Sequence, residues 1–201
     1  VTLSLLQSGD VQLNNLRAPV LSGRVLNGVD GILGMDALAD KKITADFIGD
    51  RLEIVNSPDQ RANSRFVVVR FELTSQRLML LKARVGSIPI KAIVDTGGGH
   101  TLGNPALLRA LIKQRRVDHV FTSEVADVTD NLQPSGVASV PRIDLGRTVL
   151  SNVQVTFSDF QIFHVWKLDA QPALLIGMDV LGMFGELEID YRRNELRFRL
   201  K

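Results

Sequence analysis

At 201 residues, with 45% hydrophobic and 23% charged residues, the chain is long enough for one or two domains with a buried core. The net charge is only +2 and cysteine is absent, which excludes disulfides and thiolate chemistry. No apolar stretch approaches the ~20 residues of a membrane-spanning helix; no basic segment and apolar core resembling a signal peptide open the chain, which starts at Val1 as a mature or trimmed product would.

Runs of Val, Leu, Ile and Phe separated by Gly, Asn, Asp and Pro predict a mainly β chain with few helices. Val11 to Leu16 and Ala18 to Leu21 read as short strands. Gly31-Ile32-Leu33-Gly34-Met35-Asp36-Ala37-Leu38 follows, then a hairpin of Ile43 to Phe47 and Arg51 to Val55 around Gly49-Asp50. Residues 57–64 are polar and read as a linker. Beyond it, Phe66 to Leu73 and Leu78 to Val85 are strand-like, and Gly86-Ser87 suits a two-residue turn into Pro89 to Val94.

That last strand delivers Asp95 onto the turn Thr96-Gly97-Gly98-Gly99-His100, where consecutive glycines let a backbone approach a ligand closely. Asn104-Pro105 is an N-cap followed by proline at the first helical position. Leu107, Leu108, Leu111 and Ile112 form one apolar face, and Lys113, Arg115 and Arg116 sit where the helix dipole favours cations. This basic cluster and Arg192-Arg193 lack aromatic residues and read as solvated positions rather than a nucleic-acid surface. Phe121 to Thr129 and Gly136 to Leu145 bracket the polar turn 130–135 as a projecting hairpin. Val149 to Phe157, Ala173 to Ile176, Leu187 to Tyr191 and Glu195 to Leu200 complete a small closed sheet, with a short helix near Met178 to Leu181.

The sequence repeats itself, and the repeat decides the expected architecture. Leu175-Ile176-Gly177-Met178-Asp179-Val180-Leu181 restates Ile32 to Leu38 at an offset of 143. Ile189-Asp190-Tyr191 and Leu196 restate Ala45-Asp46-Phe47 and Leu52 at 144, and Gly146, Leu150, Asn152 and Val153 answer Gly9, Leu13, Asn15 and Leu16 at 137. Residue 1 thus corresponds to about residue 138, and the first copy has no counterpart of the stretch that holds Asp95.

Val94-Asp95-Thr96-Gly97, the downstream Leu-Ile-Gly-Met-Asp-Val-Leu and a final β hairpin, in that order, resemble the retropepsin-like aspartic proteases, and among them bacterial proteins carrying two such lobes in tandem. The resemblance implies a closed β-barrel lobe with one or two short helices over 65–201, and the rear part of a similar lobe over 1–56. It implies aspartic endopeptidase activity on extended peptides in a periplasmic or secreted bacterial setting, with no cofactor. By motif, Asp95 would be the catalytic carboxylate. Thr96 would brace the catalytic loops, and Gly97, with Gly98 and Gly99, would offer backbone to substrate. The family's flap would fall near Val128 to Gly136, placing Val128 and Thr129 against the peptide. Leu175-Ile176-Gly177 would pack behind the catalytic loop.

Hydrolysis without a metal or covalent nucleophile needs one group to take a proton from water and another to give one to the carbonyl oxygen. Two adjacent carboxylates sharing a proton do both. The sequence contains no second Asp-Thr/Ser-Gly, so the partner would come from a front segment of the first lobe, the favoured source, or from Asp95 of a second copy. The alternative is a noncatalytic protease-like module that binds peptides or proteins. Asp36 and Asp179 read as helix N-terminal charges, and Asp46 and Asp190 as structural. His100, His119 and His164 are too widely spaced to predict a metal site, although His100 lies near enough to Asp95 to line the cleft. Phe160, Phe163 and Trp166 read as core or cleft wall. No Gly-x-Ser-x-Gly elbow or phosphate-binding Gly-Lys-Ser/Thr loop is present.

Overall fold

A computed structural model describes residues 1–8, 11–20, 29–35, 38–59, 63–117, 120–126, 132–146 and 148–201. The described residues form strands β1 (Thr2–Ser8), β2 (Val11–Arg17), β3 (Lys41–Asp46), β4 (Arg51–Asn56), β5 (Val67–Arg70), β6 (Glu72–Leu73), β7 (Met79–Val85), β8 (Ile88–Val94) and β9 (Leu102–Gly103). Helix α1 (Pro105–Lys113) follows, then β10 (Phe121–Ala126), β11 (Leu132–Leu145), β12 (Thr148–Phe157), α2 (Gln161–Val165), β13 (Ala173–Ile176), α3 (Met178–Leu181), β14 (Glu186–Asp190) and β15 (Glu195–Arg199). The protein is mainly β, as its composition requires.

Strands β7, β8, β13, β9, β12 and β11 pair in that order, and β11 returns to β7 through Asp144↔Arg84 and Leu145↔Ala83. This closes a six-stranded barrel and leaves no free edge within it. Along β7, alternate residues Leu81, Ala83 and Val85 turn into the core. All four residues of β13 are buried because both of its faces are covered. Leu174 and Ile176 enter the barrel core, while Ala173 and Leu175 pack outward with Ile93, Phe160 and Phe163. Phe160 and Phe163 are therefore core, and Trp166 is partly buried against them.

The predicted strands recur with small shifts. Residues 18–20 are not strand, and Leu21 lies outside the described residues. Leu132 to Ser135 belong to β11 instead of a turn, because β10 pairs with them from Ala126↔Leu132 back to Phe121↔Val137. Asn104 caps α1, its Oδ1 accepting from the Leu107 N–H at 2.8 Å, and Leu107 and Leu111 are buried while Ile112 is exposed. Three helices are described where one or two were expected; α2 was missed because five residues are too few for a visible helical period.

The sequence repeat has a backbone counterpart. In β1–β2 the pairs run from Thr2↔Arg17 to Ser8↔Val11, and the same register recurs 137 residues later from Ser139↔Gln154 to Leu145↔Thr148. Asn15 and Asn152 both have positive φ, 54° and 53°, as do Asp50 and Asn194, 47° and 54°, in the β3–β4 and β14–β15 turns. The two turn hairpins join in a second sheet of order β4-β3-β14-β15-β5. Thr44 faces Glu188, its own repeat equivalent, while Ile43↔Ile189 and Ala45↔Leu187 exchange roles about that pair. A local two-fold axis thus passes through the centre of the sheet.

Candidate active site

Strand β8 ends at Val94, which pairs in parallel with Ile176 of β13, so the Asp95 loop and the β13–α3 turn lie side by side at the barrel rim. Six hydrogen bonds hold them together. The Asp95 N–H donates to the Ile176 carbonyl at 3.0 Å, and the N–H groups of Met178 and Asp179 donate to the Gly98 and Gly99 carbonyls at 2.8 and 3.2 Å. The Gly177 N–H donates to Thr101 Oγ1 at 3.1 Å. Thr101 in turn donates to Asp179, through its N–H to Oδ2 at 2.8 Å and its hydroxyl to Oδ1 at 2.7 Å.

Sequence reasoning gave Asp179 the part of a helix-end charge. Asp179 does lie in the first turn of α3, its Oδ1 accepting from the Val180 N–H at 2.9 Å, and the same carboxylate reaches across to the glycine loop and fixes the loop's far end at the buried Thr101. The Thr at this distance beyond Asp95 was legible as a residue, but its partner 78 positions away was not.

Space dictates glycine at position 177. A Cβ on Gly177 would lie 2.5 Å from the His100 carbonyl oxygen and 2.9 Å from that of Gly98, both main-chain atoms. A Cβ on Gly98 would lie 2.8 Å from Asp95 Oδ2. The carboxylate is half-buried, and its Oδ1 accepts from the Gly97 N–H at 3.1 Å. Gly99 and His100 are exposed beside it. Thr96 is exposed and faces a groove of about 590 Å³ together with Met178 and residues of β3 and β4.

The structure therefore brings Asp95, Thr96, Gly97, Gly98 and Gly99 together at one rim. Val128 and Thr129 lie outside the described residues, as do Asp36 and His119. His164 is held by carboxylates of its own surroundings, with Nε2 2.7 Å from Asp159 Oδ1. Asp190 is structural, accepting from Ser57 Oγ at 2.8 Å and Arg197 at 3.1 Å. No helix among the described residues is long and apolar enough to cross a membrane.

A closed six-stranded barrel with an Asp-Thr-Gly loop braced against an apolar-apolar-Gly turn defines a retropepsin-like lobe. Residues 81–180 match the family of aspartyl proteases. The chain is similar to a retropepsin-like aspartic protease from Rickettsia conorii at 15% identity, over 66% of this chain and 89% of that one, with a TM-score of 0.40. It is also similar to the retroviral protease-like domain of Ddi1 from Leishmania major at 17% identity, over 62% and 94%, again with a TM-score of 0.40. No curated protein matches the chain.

Proposed function

We propose that the protein is one working half of an aspartic endopeptidase, with Asp95 supplying one of two carboxylates. The observation that carries this reading is the Asp95 carboxyl held at the barrel rim by a loop clamped at Ile176, Gly177 and Asp179. Such a group is preorganised and reachable, as hydrolysis requires. With a second carboxylate beside it, the pair shares one proton because two like charges so close cannot both ionise. The ionised member removes a proton from water as its oxygen attacks the peptide carbonyl carbon. The protonated member gives its proton to the carbonyl oxygen. Collapse of the tetrahedral intermediate then breaks the C–N bond as nitrogen is protonated. Gly97 to Gly99 offer main-chain groups to an extended peptide, and Val128 and Thr129, outside the described residues, are the further substrate contacts of this reading. The division into a rear lobe over 1–56, a linker over 57–64 and a whole lobe over 65–201 is part of the same reading.

The test is cleavage of a mixed peptide library by the purified chain at rising concentration, beside Asp95→Asn. Activity that grows faster than linearly and disappears in the variant means that two Asp95 loops meet. Linear activity lost in the variant needs a second carboxylate within one chain. Absence of cleavage at every concentration leaves the chain as a half-site and favours the binding-module reading, which the lack of a second Asp-Thr/Ser-Gly also supports.

A further inference from the structure

Outside the barrel, against the face of β8 turned away from the core, lies a cavity of about 300 Å³. Lys91 and Ile93 line it, alternating along β8 with the inward Ala92 and Val94. Ile93 and Leu168 are buried, and Leu78, Leu80 and Trp166 pack partly buried against them. The cavity shares no lining residue with the groove at Thr96.

Hydrogen bonds fix both loops that wall it. The loop 74–78 closes on itself, the Thr74 N–H donating to the Leu78 carbonyl at 3.1 Å and the Leu78 N–H to Thr74 Oγ1 at 3.0 Å. Gln76 Nε2 ties this loop to the Val165 carbonyl of α2 at 3.3 Å. On the other side, the fully buried Asn104 donates through Nδ2 to the carbonyls of Leu168 and Gln171, both at 2.7 Å. Walls held in this way need little further ordering when a ligand enters.

The charged residues that line the cavity, Lys91 and Lys167, are both cationic. Neither has a carboxylate partner among the described residues. Glu72 is taken by Lys82, and Asp159 and Asp169 both flank His164. Thr74 Oγ1 accepts from Leu78, and its O–H is left to donate. Trp166 adds a flat aromatic wall. Two cations beside apolar and aromatic surface select a ligand that carries negative charge on a flat apolar body. We infer that this cavity binds a small aromatic carboxylate, with Lys91 and Lys167 receiving the carboxylate and Trp166 and Ile93 packing against the ring. A free aromatic acid and the C-terminal phenylalanine of a short peptide share this chemistry.

Trp166 is the only tryptophan of the chain, so its fluorescence reports on this cavity. Phenylacetate is expected to change that emission saturably, with a midpoint on the order of 1 mM or lower. The neutral phenylacetamide needs roughly tenfold more. Lys91→Gln combined with Lys167→Gln weakens binding of the acid by roughly tenfold, while Lys113→Gln on α1 leaves it unchanged. Thermal melts check that these variants keep the fold, and the comparison of acid with amide uses the unaltered chain and stands without them. A peptide ending in free phenylalanine that binds more tightly than phenylacetate identifies a peptide end as the source of the carboxylate; the reverse order identifies a free acid, and either upholds the site. Three results overturn the inference: no saturable response to the acid or the peptide, equal binding of acid and amide, or a loss in Lys113→Gln as large as in the double variant.

Discussion

Gly177 has no room for a side chain, since its Cβ would meet two main-chain carbonyl oxygens of the Asp95 loop. Gly177→Ala must push that loop away from β13, and we expect a loss of roughly 3 kcal/mol of stability, read by urea denaturation. A variant as stable as the parent contradicts the packing described. Thr101 and Asp179 offer a finer probe. Thr101→Val keeps the shape but removes the hydroxyl, leaving the buried Gly177 N–H without its acceptor. The expected cost is about 1–3 kcal/mol. In an active preparation Asp95→Asn should lower cleavage by roughly 10²–10⁴-fold while the denaturation midpoint changes little, because the side chain is half-exposed at the rim.

Within the second sheet, the stabilising element is an ion network on the face opposite the apolar one. Arg197, 3% exposed, bridges Glu188, Asp190 and Glu195 at 3.1, 3.1 and 2.8 Å, and Glu188 also holds Lys42 of β3 at 2.8 Å. Removing the guanidinium takes one cationic partner from the fully buried Asp190 and the largely buried Glu188. Arg197→Ala should therefore cost about 3–5 kcal/mol, whereas a surface pair such as Lys82–Glu72, screened by solvent, contributes little. Tyr191 follows β14 and packs edge-on to Phe71 with ring centroids 6.3 Å apart. Burial pushes its phenol up to about 12 from an ordinary value of 10. The folded state holds this proton more tightly than the unfolded chain does. The stability it contributes is complete below pH 10 and is lost as pH rises towards 12, on the order of 2 kcal/mol. Tyr191→Phe should flatten the fall in stability over that window, measured by thermal melts at a series of alkaline pH values.

For the molecule as a whole, the sheet joins the two ends of the chain. Strand β3 pairs with β14 over five residue pairs, and Ser57 and Pro58 are held by Asp190 and Arg193. Arg192 also bonds Asp59. A protease site introduced at position 61, once cut, should leave the two fragments eluting together in size exclusion. Their separation would show that covalent continuity, rather than the shared sheet, keeps them joined.

The sequence by itself determined the mainly β class, the capped helix after Asp95, the Asp-Thr-Gly loop and the repeat, because each rests on local propensity or on spacing along one strand. Only tertiary structure decided what lies behind and beside them. The reach of Asp179 to Thr101 spans 78 residues, and Glu188 and Asp190 meet Arg197 only through the pairing of β14 with β15. The antiparallel seating of β3 on β14 depends on an edge that no local pattern reveals. Strand order is set by which edges and faces are buried together, and burial is a property of the folded chain. The same residues, apolar at Leu52 and at Leu196, are equivalent in the sequence and opposite in exposure for that reason alone.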